Sequence, residues 1–371
     1  MKIAKNVVFL TGTLDTGGLE RFVTRVCIQA KRQQLFNPMI ICLSEKRGLF
    51  VKPLEEEGIV IVQAPAGWQR KISGMIALGN IIKHVKADVV HSQVNFSLVQ
   101  QFLITRWGAR IPFLVTERNC YPLSGFSRLR RQLQFYFLKL FGVHYSANSI
   151  DVASYLARLV HYPVRKIPVI PNGMDIPQKN PLVRDEIRRM HHWQEEDFVI
   201  GYVARFADHK GQEYFVRVME NVYHHLGKRL KICFVGDGPE RKAIEDKIQR
   251  VGLSEFTTFT GVIDNVESYY QAFDASALLS DYEGMPNVVL EAMAHGLPVV
   301  ANPVGNVKEL MEGDAGIVNY SSASASTAAL VIDLALHPAK RIAIGYAAQE
   351  QIRKNFSLQS TLQLLTKHYG F

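Results

Sequence analysis

Residues 280–304 read SDYEGMPNVVLEAMAHGLPVVANPV and follow an apolar run at 275–279 that is typical of a buried parallel strand. Residues 281–284 then form a loop, Pro286 suits the first turn of a helix, and the Gly-Leu-Pro at 296–298 ends that helix. The stretch therefore predicts a strand, a loop and a helix in succession. Open α/β sheets bind their ligands at loops of this kind, at the carboxyl ends of the strands.

Two glutamates bracket the start of this helix. Glu283 lies in the loop, and Glu291 lies about two turns into the helix. The N–H groups of the first turn, around Met285, Asn287 and Val288, are predicted to form an anion site beside Glu283. A phosphate bound there would leave both carboxylates to accept hydrogen bonds from hydroxyl pairs, as the ribose and the sugar of a nucleotide sugar would supply. The alternative is a solvated surface helix that carries two glutamates by chance.

Two cations follow a second predicted strand, residues 198–204. Arg205 and Lys210 are five residues apart in RFADHKG, which leads into another helix. Arg205 as a bidentate fork and Lys210 as a compact charge can hold the two phosphates of a leaving nucleotide. They would neutralise the charge that develops on the diphosphate as the sugar departs. The alternative is a pair of ordinary surface cations.

These motifs resemble the signatures of one enzyme family. The pattern Glu-Gly-x-Pro-Asn-x-x-x-Glu-Ala-Met, followed by Gly-x-Pro-Val-Val-Ala, resembles the Glu-x7-Glu motif of retaining glycosyltransferases of family 4, and the Arg and Lys spacing is similar too. The resemblance implies a GT-B fold, which is an α/β architecture of two Rossmann-like parallel-sheet domains that face a central cleft. It predicts an acceptor-binding domain at 1–178, a nucleotide-sugar-binding domain at 179–354, and a C-terminal helix at 355–371 that returns to the first domain.

The resemblance also carries roles to the loops after other predicted strands. Gly17 and Gly18 follow the first strand in a loop without Gly-x-Gly-x-x-Gly, which argues against a dinucleotide oxidoreductase. In the family this Gly-Gly pair comes close to the donor phosphates; a structural turn is the alternative. His91 closes the strand at 88–91 and corresponds to a histidine that bonds a sugar hydroxyl, unless it is a packed core histidine. Gly236 and Val262 lie in loops that surround the nucleoside in relatives.

The N-terminal half contains a basic and aromatic segment. Glu117 and Arg118 follow a predicted strand and resemble the place where relatives approach their acceptor. No acidic residue occurs between Glu117 and Asp151, and the intervening cations alternate with aromatic and aliphatic residues. Such a segment suits a membrane surface, although part of its apolar face must belong to the core. The cations that we assign to acceptor or membrane contact are Arg118, Arg128, Arg130 and Arg131.

Composition limits the class of protein. The chain has 371 residues, of which 47% are apolar and 21% charged, as in an ordinary soluble protein of two or three domains. Four scattered cysteines suggest neither a zinc site nor disulfides, so a reducing cytoplasm fits best. No apolar run approaches the ~20 residues of a membrane-spanning helix, so we expect peripheral membrane contact. Residues 1–175 carry 23 Lys and Arg against 10 Asp and Glu, whereas the remainder is slightly acidic.

The resulting hypothesis is a cytoplasmic glycosyltransferase of the hexosyl or N-acetylhexosaminyl type, located peripherally at the inner face of the membrane. It would move a sugar with retention from a UDP-linked donor to a lipid-linked saccharide or glycolipid of a surface polysaccharide. We expect no cofactor, no nucleic acid and no metal, because Asp-x-Asp is absent and Arg205, Lys210 and the helix start can neutralise the diphosphate. Glu283 would orient the donor sugar and Glu291 the ribose, with His91 completing the catalytic set.

Three alternatives remain open from the sequence. A soluble acceptor would need the same donor residues. A GT-B nucleotide-sugar epimerase shares the architecture, but the sequence does not identify the carboxylate and histidine placement that its catalysis needs. A non-catalytic basic protein would explain the charge, but not the combination of Arg205, Lys210, Glu283 and Glu291.

Overall fold

A computed structural model describes residues 5–15, 17–44, 48–120 and 124–370. The chain divides into two compact units. Unit 1 comprises residues 1–172 and 358–371, and unit 2 comprises residues 173–357.

Each unit contains one six-stranded sheet, and every strand pairing is parallel, as predicted. The strands are β1 (Asn6–Thr11), β2 (Asn37–Cys42), β3 (Val60–Gln63), β4 (Val89–Ser92), β5 (Phe113–Glu117), β6 (His144–Ala147), β7 (Phe198–Val203), β8 (Leu230–Val235), β9 (Thr257–Phe259), β10 (Ala275–Leu278), β11 (Val299–Ala301) and β12 (Ile317–Val318). The strand order is β3-β2-β1-β4-β5-β6 in unit 1 and β12-β11-β10-β7-β8-β9 in unit 2.

Helices connect the strands, as the alternation in the sequence predicts. They are α1 (Gly18–Arg32), α2 (Val51–Glu56), α3 (Ile72–His84), α4 (Leu98–Phe102), α5 (Gly125–Leu140), α6 (Ile150–Val160), α7 (Pro181–Met190), α8 (Gln212–Leu226), α9 (Arg241–Arg250), α10 (Val266–Ala272), α11 (Asn287–Ala294), α12 (Val307–Leu310), α13 (Ser324–Leu336), α14 (Pro338–Asn355) and α15 (Leu358–His368). A π-helical segment, Leu103–Ala109, continues α4. Among the described residues, none of these helices combines the length and the apolar character needed to cross a bilayer.

The unit boundaries differ from the predicted positions at 178 and 355. Met174 and Phe356 both belong to the apolar core of unit 2. The Met174 N–H donates to Phe356 O at 2.9 Å, which ties the two connecting segments together. The chain therefore leaves unit 1 after Asn172 and returns to it at Leu358.

Residues 167–170 do not form the predicted last strand of the first domain. They make an isolated bridge, in which Val169 pairs with Ala147 at the end of β6. Prolines at 168 and 171 lack the N–H groups that a regular ladder needs, so the pairing ends after one bridge.

A buried polar chain runs across the sheet of unit 1. His91 on β4 places Nδ1 2.7 Å from the Tyr369 hydroxyl and Nε2 2.6 Å from Thr116 Oγ1, which lies 2.8 Å from Ser146 Oγ. His91 has no exposed surface, and burial lowers its pKa well below the usual value. These hydrogen bonds thereby join β4, β5 and β6 to Tyr369, the residue that follows α15. His91 in this structure is a packed core histidine, the alternative that the sequence left open.

We predict that unit 1 loses stability in mild acid. Burial lowers the pKa of His91, and it lowers that of His368 to about 4, whereas a histidine in the unfolded chain has a pKa of about 6.5. The unfolded chain therefore binds protons first as the pH falls. The contribution of the two neutral histidines to the free energy of unfolding is therefore present above pH ~6.5. Below that pH the free energy of unfolding decreases by about 1.4 kcal/mol per pH unit for each histidine, until the folded-state pKa is reached.

Urea unfolding at pH 7.5, 6.5 and 5.5 measures this dependence. His91→Gln should lower the stability at pH 7.5, because it disturbs two hydrogen bonds, and should also make the loss between pH 6.5 and 5.5 shallower. An equally steep loss in wild type and variant would contradict the assignment to His91.

Candidate functional site

An ion pair at the carboxyl edge of the unit 2 sheet forms the centre of the candidate site. Lys210 follows β7 and Glu283 follows β10, which is the neighbouring strand. Lys210 Nζ lies 2.7 Å from Glu283 Oε1, and the Ser280 hydroxyl donates to the same oxygen at 2.9 Å. The side chains are 21% and 14% exposed. Glu283 Oε2 has no hydrogen-bond partner in the part of the chain that the structure describes, so this oxygen is available to a ligand.

The two loops that carry the pair are held together by close backbone contacts. Gly211 has φ +70°, and a Cβ there would lie 2.0 Å from Leu279 O, so a side chain at this position is excluded. The Tyr202 hydroxyl accepts from the Leu279 N–H at 3.0 Å and donates to Lys210 O. The backbone on both sides of the ion pair is therefore fixed by the sheet beneath it.

Arg205 differs from Lys210 in its surroundings. Its side chain is exposed and forms neither an ion pair nor a hydrogen bond with any residue in the described ranges. Its backbone carbonyl accepts from Gln212 Nε2 at 2.9 Å, which anchors the loop. Of the two predicted phosphate-binding cations, Lys210 already forms an ion pair with Glu283. Arg205 forms none among the described residues and can therefore pair with an anion.

Helix α11 begins beside this pair. Pro286 occupies the N-cap position, one residue earlier than the predicted first turn. Met285 is buried, and Asn287 and Val288 are partly buried. Glu291 is only 3% exposed, and its Oε2 accepts from the Tyr270 hydroxyl at 3.2 Å. The structure therefore places Glu283 and the helix start near the surface, and Glu291 within the unit.

The loops after β8 and β9 pack against the loop that carries Arg205. Gly236 has φ +130°, and a Cβ there would lie 2.2 Å from Ala204 O. Gly236 also forms an isolated bridge with Gly261, and the next residue, Val262, is half exposed. The predicted nucleoside loops thus lie at the same edge of the sheet as Arg205.

The predicted acceptor residues of unit 1 form a largely internal polar cluster. Glu117 has no exposed surface; its Oε2 lies 2.9 Å from Arg131 Nη2, and its Oε1 accepts from Asn95 Nδ2 at 2.7 Å. Arg118 donates from Nη1 to Asn172 Oδ1 at 2.7 Å, and burial lowers its pKa to about 10. Arg131 is therefore not a membrane-facing cation, because Glu117 holds it inside the unit.

The remaining predicted residues of unit 1 lie on two helices or directly before one of them. Gly17 precedes α1 in an extended conformation, and Gly18 is the first residue of that helix. Arg128 and Arg130 are exposed on α5. Thr16, within the predicted glycine loop, lies outside the described residues.

Two residues near Glu283 were not singled out from the sequence. Ser280 is fully buried, and its hydroxyl donates to Glu283; its position three residues before Glu283 was the available signal. Asn306 donates its N–H to Gly284 O at 3.2 Å, and its side chain is buried with no partner for either polar atom among the described residues. No sequence motif indicates Asn306, since only the folded loops bring residues 284 and 306 together.

Comparison with known proteins identifies the family of both halves. The model of Glycosyltransferase Family 4 matches residues 16–178, and the model of Glycosyl transferases group 1 matches residues 183–351. The Vi polysaccharide biosynthesis protein VipC/TviE of Salmonella typhi is 28% identical over 48% of this chain and 31% of its own length. The lipopolysaccharide core biosynthesis glycosyltransferase LpsD of Rhizobium meliloti is 28% identical over 52% of this chain and 54% of its own. The chain thus spans about half, or less, of the length of these curated relatives.

A solved structure matches the whole chain. HepE of Anabaena in complex with UDP-glucose superimposes with a TM-score of 0.82 at 21% identity, over 99% of this chain and 100% of that protein. This similarity concerns the fold, and it agrees with the two parallel six-stranded sheets described above. The two family models together match most of the sequence. The chain therefore belongs to the family 4 and group 1 glycosyltransferases, which have the GT-B fold.

Proposed function

We propose that the protein is a retaining glycosyltransferase that moves a hexosyl or N-acetylhexosaminyl group from a UDP-sugar to a lipid-linked saccharide or glycolipid in surface polysaccharide synthesis. The observation that carries the proposal is the grouping of Lys210, Glu283, Arg205 and the start of α11 at one sheet edge. The relatives named for Vi polysaccharide and lipopolysaccharide core biosynthesis support the pathway class. The UDP-glucose complex of HepE supports the donor.

In the proposed reaction each group has one task. Glu283 accepts hydrogen bonds from donor sugar hydroxyls through its available Oε2, and Lys210 orients this carboxylate. The bond between the anomeric carbon and the β-phosphate oxygen breaks, and the acceptor oxygen bonds that carbon from the same face. The leaving phosphate accepts the proton of the acceptor hydroxyl.

The charge on the leaving diphosphate is neutralised without a metal in this proposal. Arg205 supplies a planar guanidinium for two phosphate oxygens, and the first-turn N–H groups of α11 supply partial positive charge. Glu291 would hold the ribose after moving from its buried position beside Tyr270.

The proposed membrane contact is made by one face of α5. Five large apolar side chains recur at spacings of three and four residues along this helix, each between 47% and 80% exposed; they are Phe126, Leu129, Leu133, Tyr136 and Leu140. The opposite face is buried through Phe135 and Leu138. Water-facing helices normally place polar residues where this stripe lies. The helix is therefore apolar on the face that the fold leaves uncovered.

The charges beside the stripe favour an anionic lipid surface over a second copy of the chain. Arg128 and Arg130 are exposed on the same helix, and no acidic residue lies between Glu117 and Asp151. Two such faces brought together would repel each other, whereas an anionic leaflet attracts both cations. The proposed location is therefore the inner face of the cytoplasmic membrane, where the lipid-linked acceptor also resides.

We predict that Glu283→Gln separates binding from transfer. The substitution frees Lys210 from its ion pair, so UDP should bind as tightly as to wild type or more tightly. Transfer should fall by about 10- to 100-fold or more, because a charged hydrogen bond to the sugar is lost. Arg205→Gln should weaken UDP binding itself by about 10- to 100-fold. Calorimetry with UDP and a transfer assay measure the two quantities.

Arg250→Gln, an exposed arginine of α9, serves as the matched control and should change neither quantity. Wild-type turnover in Glu283→Gln, or unchanged UDP affinity in Arg205→Gln, would remove the proposed mechanism. Products formed from the UDP-sugar without any acceptor would instead indicate an epimerase.

We predict that α5 binds vesicles containing anionic lipid. Arg128→Gln with Arg130→Gln should weaken sedimentation with phosphatidylcholine vesicles that contain phosphatidylglycerol by about thirtyfold, since each cation near such a surface contributes about 1 kcal/mol. Leu129→Gln with Leu133→Gln should also weaken binding.

Ile72→Gln is the control, because Ile72 is 77% exposed on α3 of the same unit but lies outside the stripe. Equal binding of the wild type to neutral and anionic vesicles, or retention of binding in the Leu129 and Leu133 variant, would favour a soluble acceptor.

A further inference from the structure

Unit 2 contains a cavity at the amino-terminal ends of strands β10 and β11. The ion pair lies beyond the opposite, carboxyl ends of the strands. Phe273 and Asp274 precede β10, and Leu297 and Pro298 precede β11; all four line a cavity of about 330 Å³. Because β10 has four residues, the strand separates this cavity from the loop of Glu283 by on the order of 13 Å. The volume lies near the lower end of the ~300–1,000 Å³ range of small-molecule sites. The cavity is therefore large enough for a small ligand and distinct from the proposed donor site.

The wall of the cavity is mainly apolar, and part of its rim is cationic. Tyr270 and Phe273 supply aromatic surface. Arg184 also lines the cavity; it pairs with Asp274 at 2.9 Å, and Arg188 contacts the other oxygen of the same carboxylate at 3.2 Å. Lys179 and Arg341 form no ion pair within the described ranges; Arg341 donates to Leu334 O and lies over the Phe198 ring. The rim thus carries two uncompensated positive charges, which complement a small apolar molecule with one anionic group.

Two residues of the wall also contact the helix of the proposed donor site. The Tyr270 hydroxyl donates to Glu291 Oε2 at 3.2 Å, and His295 Nδ1 lies 2.8 Å from Glu291 O. The Tyr270 and His295 rings stack with their centroids 5.2 Å apart. A ligand in the cavity would press against this stack, and the Tyr270 hydroxyl connects the stack to the carboxylate that we propose for the ribose.

We propose that this cavity is an effector site for a small apolar carboxylate, and that its occupation changes donor affinity through Tyr270 and Glu291. The binding half depends only on the cavity and its rim. The coupling half rests on the proposed function, because it assumes that Glu291 contacts the nucleotide. Linkage then requires the donor nucleotide to change the affinity of the carboxylate by the same factor.

Calorimetric titration of the full chain with 2-naphthoate tests the binding half, with the neutral isostere 2-naphthamide as the matched ligand. We expect 2-naphthoate to bind at least about tenfold more tightly than the amide, and Lys179→Gln with Arg341→Gln to remove about that factor. Lys242→Gln, an exposed lysine of α9, should leave naphthoate binding unchanged. Equal affinity for acid and amide, or for wild type and the rim variant, would overturn the site.

UDP titrations with and without saturating 2-naphthoate test the coupling half. We expect the UDP dissociation constant to change by about threefold or more in wild type. Tyr270→Phe keeps the aromatic wall but removes the hydroxyl, so it should retain naphthoate binding and abolish the change. Equal UDP affinity in both wild-type titrations, or an unchanged shift in Tyr270→Phe, would overturn the coupling. Failure of wild type to bind UDP at all would contradict the proposed donor, while the naphthoate titrations would still decide whether the cavity is a site.

Discussion

The ion pair between Lys210 and Glu283 is the interaction on which the candidate site depends. It joins the loops after two adjacent strands and fixes one carboxylate oxygen, while the other oxygen stays available. Both side chains are mostly buried, so removing one charge would leave the other poorly solvated. In the proposed reaction Lys210 orients the carboxylate, and Arg205 binds the phosphates. Gly211 is required at the junction, since its close approach to Leu279 O brings the two loops within reach.

Helix α11 runs between the carboxyl ends and the amino ends of the unit 2 strands. Its first turn lies beside Glu283, Glu291 lies in its middle, and His295 follows its end. The helix is only eight residues long, or about 12 Å, so a contact at one end lies close to the proposed donor site at the other. Its buried face packs in the core of unit 2 and leaves little freedom to tilt. Such a short, well-packed helix can carry a local shift as a rigid body.

The arginines of unit 1 that the sequence singled out fall into a buried group and an exposed group. Arg131 and Arg118 are turned inward, where Glu117, Gln93 and Asn172 satisfy much of their hydrogen-bonding capacity. Arg128 and Arg130 remain outside on the same helix as the apolar stripe. Net charge alone does not distinguish these groups, because a buried, paired guanidinium contributes little to the field at the surface. The exposed pair and the stripe together define the surface that we propose for lipid.

The sequence alone determined the class of the fold, the order of its elements and the identity of the central residues. Alternating strands and helices predicted two parallel sheets. Pro286, the apolar positions that follow it and Gly296 predicted the helix that Glu283 precedes and that carries Glu291. Local sequence patterns predict such features because apolar periodicity and turn residues involve positions only a few residues apart. Tertiary structure decided the rest. It enclosed His91, drew Arg131 onto Glu117, buried Glu291 beside Tyr270 and placed Asn306 against Gly284. These outcomes depend on contacts between residues far apart in the chain, and burial at each site follows from packing that no short stretch of sequence contains.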